Sequence, residues 1–143
     1  MERRVRGNSH ARCEAGEKLE IKSNAYLSLY PYRVAWCAIF VSWCADQCGF
    51  LDTGVLPRME GVRPYVDWFR ERGQWQDRSY EPMAGDIIFL DWESDGLADH
   101  VGIVERVEGG VIYTVEGNAD DRCIENHYYL GSAPVYGFGL PAY

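Results

Sequence analysis

The sequence predicts an α+β fold, with N-terminal helices packed on an antiparallel sheet of about five or six strands. Three observations carry this. The chain has 143 residues, the size of one domain. Helical patterning ends near residue 74. Beyond it the chain reads as short β-rich runs broken by turn residues. Helices first, then a meander of strands, is the α+β order.

The clearest helix runs from about Trp36 to Cys48, with Gly49 as its stop. Cys37, Val41, Cys44 and Cys48 fall on one stripe of it and are expected to face the core. A second helix fits Val62 to Arg72, with Pro64 in its first turn and Gly73 after its end. Val66 and Phe69 would pack inward. Asp86 to Trp92 is nearly all apolar, which suits a central strand. His100–Val107 and Val111–Asn118 read as the two arms of a hairpin around Glu108-Gly109-Gly110. Cys123–Leu130 and Pro134–Leu140 supply the last one or two strands.

Apolar residues make up 47% and charged residues 25%, as in ordinary globular domains. The net charge of −8 argues against a nucleic-acid partner, which needs clustered Lys and Arg. No apolar run approaches a membrane span, so no membrane insertion is expected. The basic N-terminus is not followed by an apolar stretch, so it does not read as an export signal. Residues 1–22 hold six basic and four acidic side chains, while the remainder holds eight and eighteen. No aromatic precedes Tyr26. Residues 1–25 therefore read as a polar tail or divergent N-terminal segment, and 26–143 as the domain. Five cysteines are an odd number, and the spacing of Cys37, Cys44 and Cys48 matches no zinc motif. Neither a structural zinc nor a disulfide framework is expected.

The chemical signal is a thiol in the first turn of a helix. The positive end of the helix dipole favours thiolate, the nucleophilic form. Cys37 occupies that position; Cys44 and Cys48 lie deeper and are read as core. The plain alternative is that Cys37 is one more small hydrophobe in the stripe. A nucleophilic thiol needs a base. His10 lies in the polar tail, and His127 sits in what reads as an edge strand. His100 opens the strand HVGIVERV. A three-residue loop at 108–110 pairs Val107 with Val111, which sets His100 opposite Asn118 and Gly102 opposite Glu116. His100, Glu116 and Asn118 then share a face. A two-residue loop would send His100 and Glu116 to opposite faces. In the favourable register, bare Gly102 leaves room for a helix end.

Four segments, WCAIFVSWCADQCG (36–49), MAGDIIFLDW (83–92), DHVGIV (99–104) and YTVEGN (113–118), resemble the CHAP domain. The name stands for cysteine, histidine-dependent amidohydrolase/peptidase. The resemblance runs from about Tyr32 to Leu140. It implies a papain-like fold and hydrolysis of amide bonds in bacterial peptidoglycan. Carried over residue by residue, the nucleophile falls on Cys37, the base on His100, the orienting acid on Glu116 and an accompanying amide on Asn118. Before Tyr32 the chain lacks the helix, glycine-rich stretch and aromatic loop with which such domains usually begin.

The implied reaction is a thiolate attack giving a thioester, with cleavage either of the N-acetylmuramoyl-L-alanine bond or of a peptide bridge. Trp36, Trp92 and Tyr113 are expected to line the substrate groove, though each would serve equally as core. No cofactor or metal is expected. The loop Asp91-Trp92-Glu93-Ser94-Asp95-Gly96 partly resembles a calcium loop, but Gly102 stands where a bidentate Glu is needed. Some CHAP domains bind calcium through acids just before the nucleophile, and Pro31-Tyr32-Arg33-Val34-Ala35 offers none. A monomer acting at the bacterial cell wall is expected. Its acidic surface calls for a separate wall-binding domain or partner. A phage lysin or an excised domain would explain the missing export signal. Two alternatives stand beside this reading: an intracellular cysteine amidase or peptidase, such as a toxin or protein modifier, and a silent module that binds wall peptides.

Overall fold

The computed structural model describes residues 36–119 and 122–143. The tail expected at 1–25, and His10 within it, lie outside the described residues. Helix α1 spans Cys37–Gln47 and helix α2 spans Val62–Glu71. Six strands follow: β1 Trp75–Asp77, β2 Ile87–Leu90, β3 His100–Glu108, β4 Val111–Ala119, β5 Arg122–Tyr129 and β6 Val135–Gly139. They form one antiparallel sheet in the order β1-β6-β2-β3-β4-β5.

The strands from β2 to β5 form the expected meander. The last strand departs from it: β6 returns to lie between β1 and β2 rather than beyond β5. Its sequence explains the choice, because Val135 and Phe138 are fully buried and need cover. Gly137 and Gly139 lie where a Cβ would strike the rings of Trp75 and Phe69. Glycine lets those rings press directly on the strand.

Alternation along β2 separates two apolar clusters. Ile87 and Phe89 join Val101, Ile103 and Val115 under α1 and α2. Ile88 and Leu90 join Val104, Ile112, Tyr128 and Phe138 on the opposite face. All four residues of β2 are thus buried, as its unbroken apolar run predicts. In α1, Phe40, Val41, Cys44 and Ala45 form the inward side. The expected stripe ends there: Cys48 is exposed. It caps the helix rather than continuing it, so its side chain leaves the packed face. In α2, Tyr65 is buried alongside Val66 and Phe69. The four described cysteines form no disulfide. No helix among the described residues is long and apolar enough to cross a membrane.

Candidate active site

Cys37 is the first residue of α1 and follows Trp36 at the N-cap. The first-turn N–H groups of a helix have no acceptor within it. Trp36 supplies no side-chain cap and the first turn carries no acid, so nothing there cancels the positive helix end. The site is fixed in space by Gly117 of β4. A Cβ on Gly117 would lie 2.5 Å from Phe40 Cβ and 2.8 Å from Trp36 Cζ3. The bare backbone therefore lets the start of α1 rest on the end of β4. This glycine, not Gly102, receives the helix. The space beside Gly102 is taken by Glu116 itself, whose Cγ would be 2.7 Å from an added Cβ.

The β3–β4 hairpin has a two-residue turn, Gly109-Gly110, with φ of 59° and 77°. Glu108 pairs with Val111, Val107 with Ile112 and Arg106 with Tyr113. On its own this register would put His100 and Glu116 on opposite faces. A bulge intervenes between Val104 and Arg106, and beyond it Val104 pairs with Thr114 and Ile103 with Val115. The extra residue, Glu105, restores the alternation that brings Gly102 opposite Glu116. The loop expected at 108–110 is thus corrected, while the face it was meant to secure is kept.

His100 Nε2 lies 2.9 Å from Glu116 Oε1. With Nε2 so engaged, Nδ1 is the nitrogen left for the Cys37 thiol, whose proximity helps to raise the imidazole pKa. Cys37, His100 and Glu116 are all buried. His100 stands at the end of β3, from where its ring joins Glu116 on one face of the sheet to the start of α1 on the other. Burial alone would lower its pKa. The hydrogen bonds to Cys37 and Glu116 and the charges of both groups outweigh burial, and the pKa is pushed up to about 9.

Asn118 does not complete this line. It sits at φ 59° in an irregular stretch between Glu116 and Ala119, so the predicted pairing with His100 is not formed. Trp92, half exposed, stacks on His100 with ring centroids 4.1 Å apart. Trp36 packs on the helix cluster and against Gly117. Tyr113 stands apart: it pairs with Arg106, six residues along β3 from His100, about 20 Å at strand rise. Arg106 lies over its ring at 3.9 Å. His127 is exposed on β5 beside Tyr113. Among the described residues no three metal-ligating side chains cluster. In the 91–99 loop, Asp91 accepts from the Asp95 and Gly96 N–H groups, and Asp99 from those of Trp92 and Glu93. These carboxylates hold the loop through its backbone N–H groups.

A family model, the CHAP domain, matches residues 29–118, more than half of the chain. The chain belongs to the CHAP domain family. Its match begins three residues before Tyr32 and ends at Asn118 rather than Leu140. Two crystal structures of Ly7917 are similar to it. One, with the hydrolyzing product of MDP, gives a TM-score of 0.51 at 22% identity, covering 73% of this chain and 53% of that one. The other gives 0.52 at 22% identity, covering 73% and 52%. That likeness shows the α+β, papain-like fold, and the chain spans about half the length of Ly7917. No curated protein sequence matches it.

Two members of the site in this CHAP domain escaped the sequence reading. Thr114 Oγ1 hydrogen-bonds Glu116 Oε2, and the Tyr128 hydroxyl lies 3.1 Å from Glu116 Oε1. Thr114 was findable, since it stands two residues before Glu116 and so on its face. Tyr128 required the β4–β5 register, which no turn motif in the sequence announces.

Proposed function

We propose that this CHAP domain is a cysteine-dependent peptidoglycan hydrolase that cleaves an amide bond. The observation that carries the reading is the buried line Cys37–His100–Glu116 at the start of α1. Thiol, imidazole and carboxylate in that order are the parts of an activated nucleophile. The family supports amide hydrolysis, and a protein of like fold, Ly7917, is known with the hydrolyzing product of MDP.

His100 takes the Cys37 proton, which leaves thiolate and imidazolium. The thiolate attacks the amide carbonyl, whose oxygen becomes negative. N–H groups at the start of α1, that of Cys37 first, face this charge and stabilise it. The tetrahedral species collapses as the C–N bond breaks, and His100 gives its proton to the departing amine. A thioester remains on Cys37. His100 then removes a proton from water, the hydroxide attacks the thioester, and the acid is released with the thiolate restored. Glu116 keeps the ring oriented and favours the imidazolium throughout. Trp92 borders the substrate beside His100.

The test is hydrolysis of purified cell walls, with mass spectrometry of the fragments to name the bond. Cys37→Ser and His100→Ala are expected to be inactive and folded. His127→Ala is expected to keep nearly full activity, and Glu116→Gln to be slowed but not dead. Near wild-type turnover in either of the first two variants overturns the mechanism. Loss of turnover in His127→Ala would reassign the base.

A further inference from the structure

We propose that Tyr128 is a positioning residue that makes Glu116 Oε1 an obligate acceptor and so fixes which nitrogen of His100 carries the proton. This rests on the reading of Cys37 as nucleophile and His100 as base. Three polar side chains around Glu116, those of Thr114, Asn126 and Tyr128, share its face of the β4–β5 pair, because Thr114 stands opposite Asn126 and Ile112 opposite Tyr128. Thr114 and Glu116 are completely buried, and Tyr128 nearly so.

The direction of each hydrogen bond follows from counting protons. Asn126 Oδ1 accepts the His127 backbone N–H at 2.9 Å, which turns the Asn126 amide nitrogen toward Tyr128. That Nδ2 donates to the Tyr128 oxygen at 3.2 Å. That nitrogen cannot accept. The single Tyr128 proton therefore goes to Glu116 Oε1, 3.1 Å away. Thr114 and Tyr128 each donate to one oxygen of Glu116, and donors on both oxygens favour the acceptor-only carboxylate. Nε2, 2.9 Å from Oε1, must be the donor. Nδ1 is then the nitrogen that receives the Cys37 proton. Burial, followed by the Glu116 charge, raises the Tyr128 pKa, so the hydroxyl keeps its proton through the neutral range.

Tyr128 hydrogen-bonds Glu116, and its effect runs through that carboxyl group. Removing the Tyr128 proton leaves Glu116 Oε1 with one hydrogen bond fewer, so the carboxyl group is held less firmly and supports the imidazolium less.

The experiment uses the full chain and Tyr128→Phe, with Thr114→Val as a second variant in case the first folds poorly. Above the His100 pKa of about 9, where the ring is neutral, nitrogen NMR is expected to show Nε2–H alone in the wild type. Tyr128→Phe is expected to give mixed tautomers and a lower His100 pKa. On cell walls kcat is expected to fall about tenfold, the loss typical of a hydrogen bond to a charged group, with KM nearly unchanged. In a Glu116→Gln background the same change is expected to cost no more than about twofold, because the two act in series. Wild-type tautomer and pKa in Tyr128→Phe, or an equal loss in both backgrounds, overturns the proposal. The NMR measurement needs no turnover. If wall hydrolysis is absent in the wild type, the catalytic reading fails while the spectrum still decides the role of Tyr128.

Discussion

Trp92 lies almost parallel to the His100 imidazole, with planes 21° apart. Its outer surface is open to solvent, at 49% exposure. An indole face against an imidazolium is an attractive cation–π contact worth about 1 kcal/mol. Trp92→Ala is therefore expected to lower the His100 pKa and slow wall hydrolysis. The fold should lose no more than about 1 kcal/mol, as for other partly exposed positions. NMR titration of His100 and thermal melting check both halves. An unchanged titration would mean that the stack contributes nothing to the imidazolium.

Stability should depend on pH through His100. Its pKa in the folded chain is about 9, above the ordinary value of 6.5. A group raised on folding stabilises the fold fully below the unfolded pKa and loses that contribution as pH climbs through the folded one. The wild type is thus expected to lose stability between about pH 6.5 and 9, relative to His100→Gln. Cys37→Ala removes one of the two partners that raise the pKa, so its loss should end at a lower pH and be smaller in total. Melting temperatures across this range provide the measurement. Parallel curves for wild type and His100→Gln would contradict it.

Gly117→Ala is expected to damage activity more than its size suggests. The new methyl would meet Phe40 and Trp36 at 2.5–2.8 Å, and Phe40 is buried with no room to retreat. Overpacking of this kind costs about 1–3 kcal/mol. The start of α1 must move away from β4, which takes Cys37 from His100. Denaturant unfolding and wall hydrolysis would show both effects. A fully active variant would mean that α1 is not held by this contact.

The sequence made the first helix legible because the apolar stripe from Cys37 and the stop at Gly49 agree. It made the Glu116 face legible for an incomplete reason. The turn is Gly109-Gly110, and only the bulge at Glu105 returns the register to the one that serves His100. Nothing in the residue types of HVGIVERVE marks a bulge, since it is a backbone accommodation made against neighbouring strands. Tyr128 stayed hidden because its partner lies on another strand. Asn118 stands at φ 59°, a conformation that asparagine accepts readily, and strand pairing alone could not announce it. Strand β1 was missed because three residues give alternation too little length to register.

Chelation is expected to leave activity intact, and the reason lies in how the 91–99 loop uses its acids. Asp91 Oδ2 accepts the Gly96 N–H at 2.9 Å, and Asp99 Oδ2 accepts the Trp92 N–H at 2.9 Å. Asp95 Oδ1 accepts the Leu97 N–H, also at 2.9 Å. Backbone donors thus already meet the negative charge that a calcium ion would answer. The loop in turn carries Trp92 over His100. Asp99→Ala should therefore free Trp92 and slow hydrolysis about as much as Trp92→Ala does. Added calcium should not repair it. Wall turnover would be followed with and without EDTA, for the wild type and for Asp99→Ala. If EDTA silences the wild type and calcium restores it, these carboxylates serve a metal, and the loop holds Trp92 by other means.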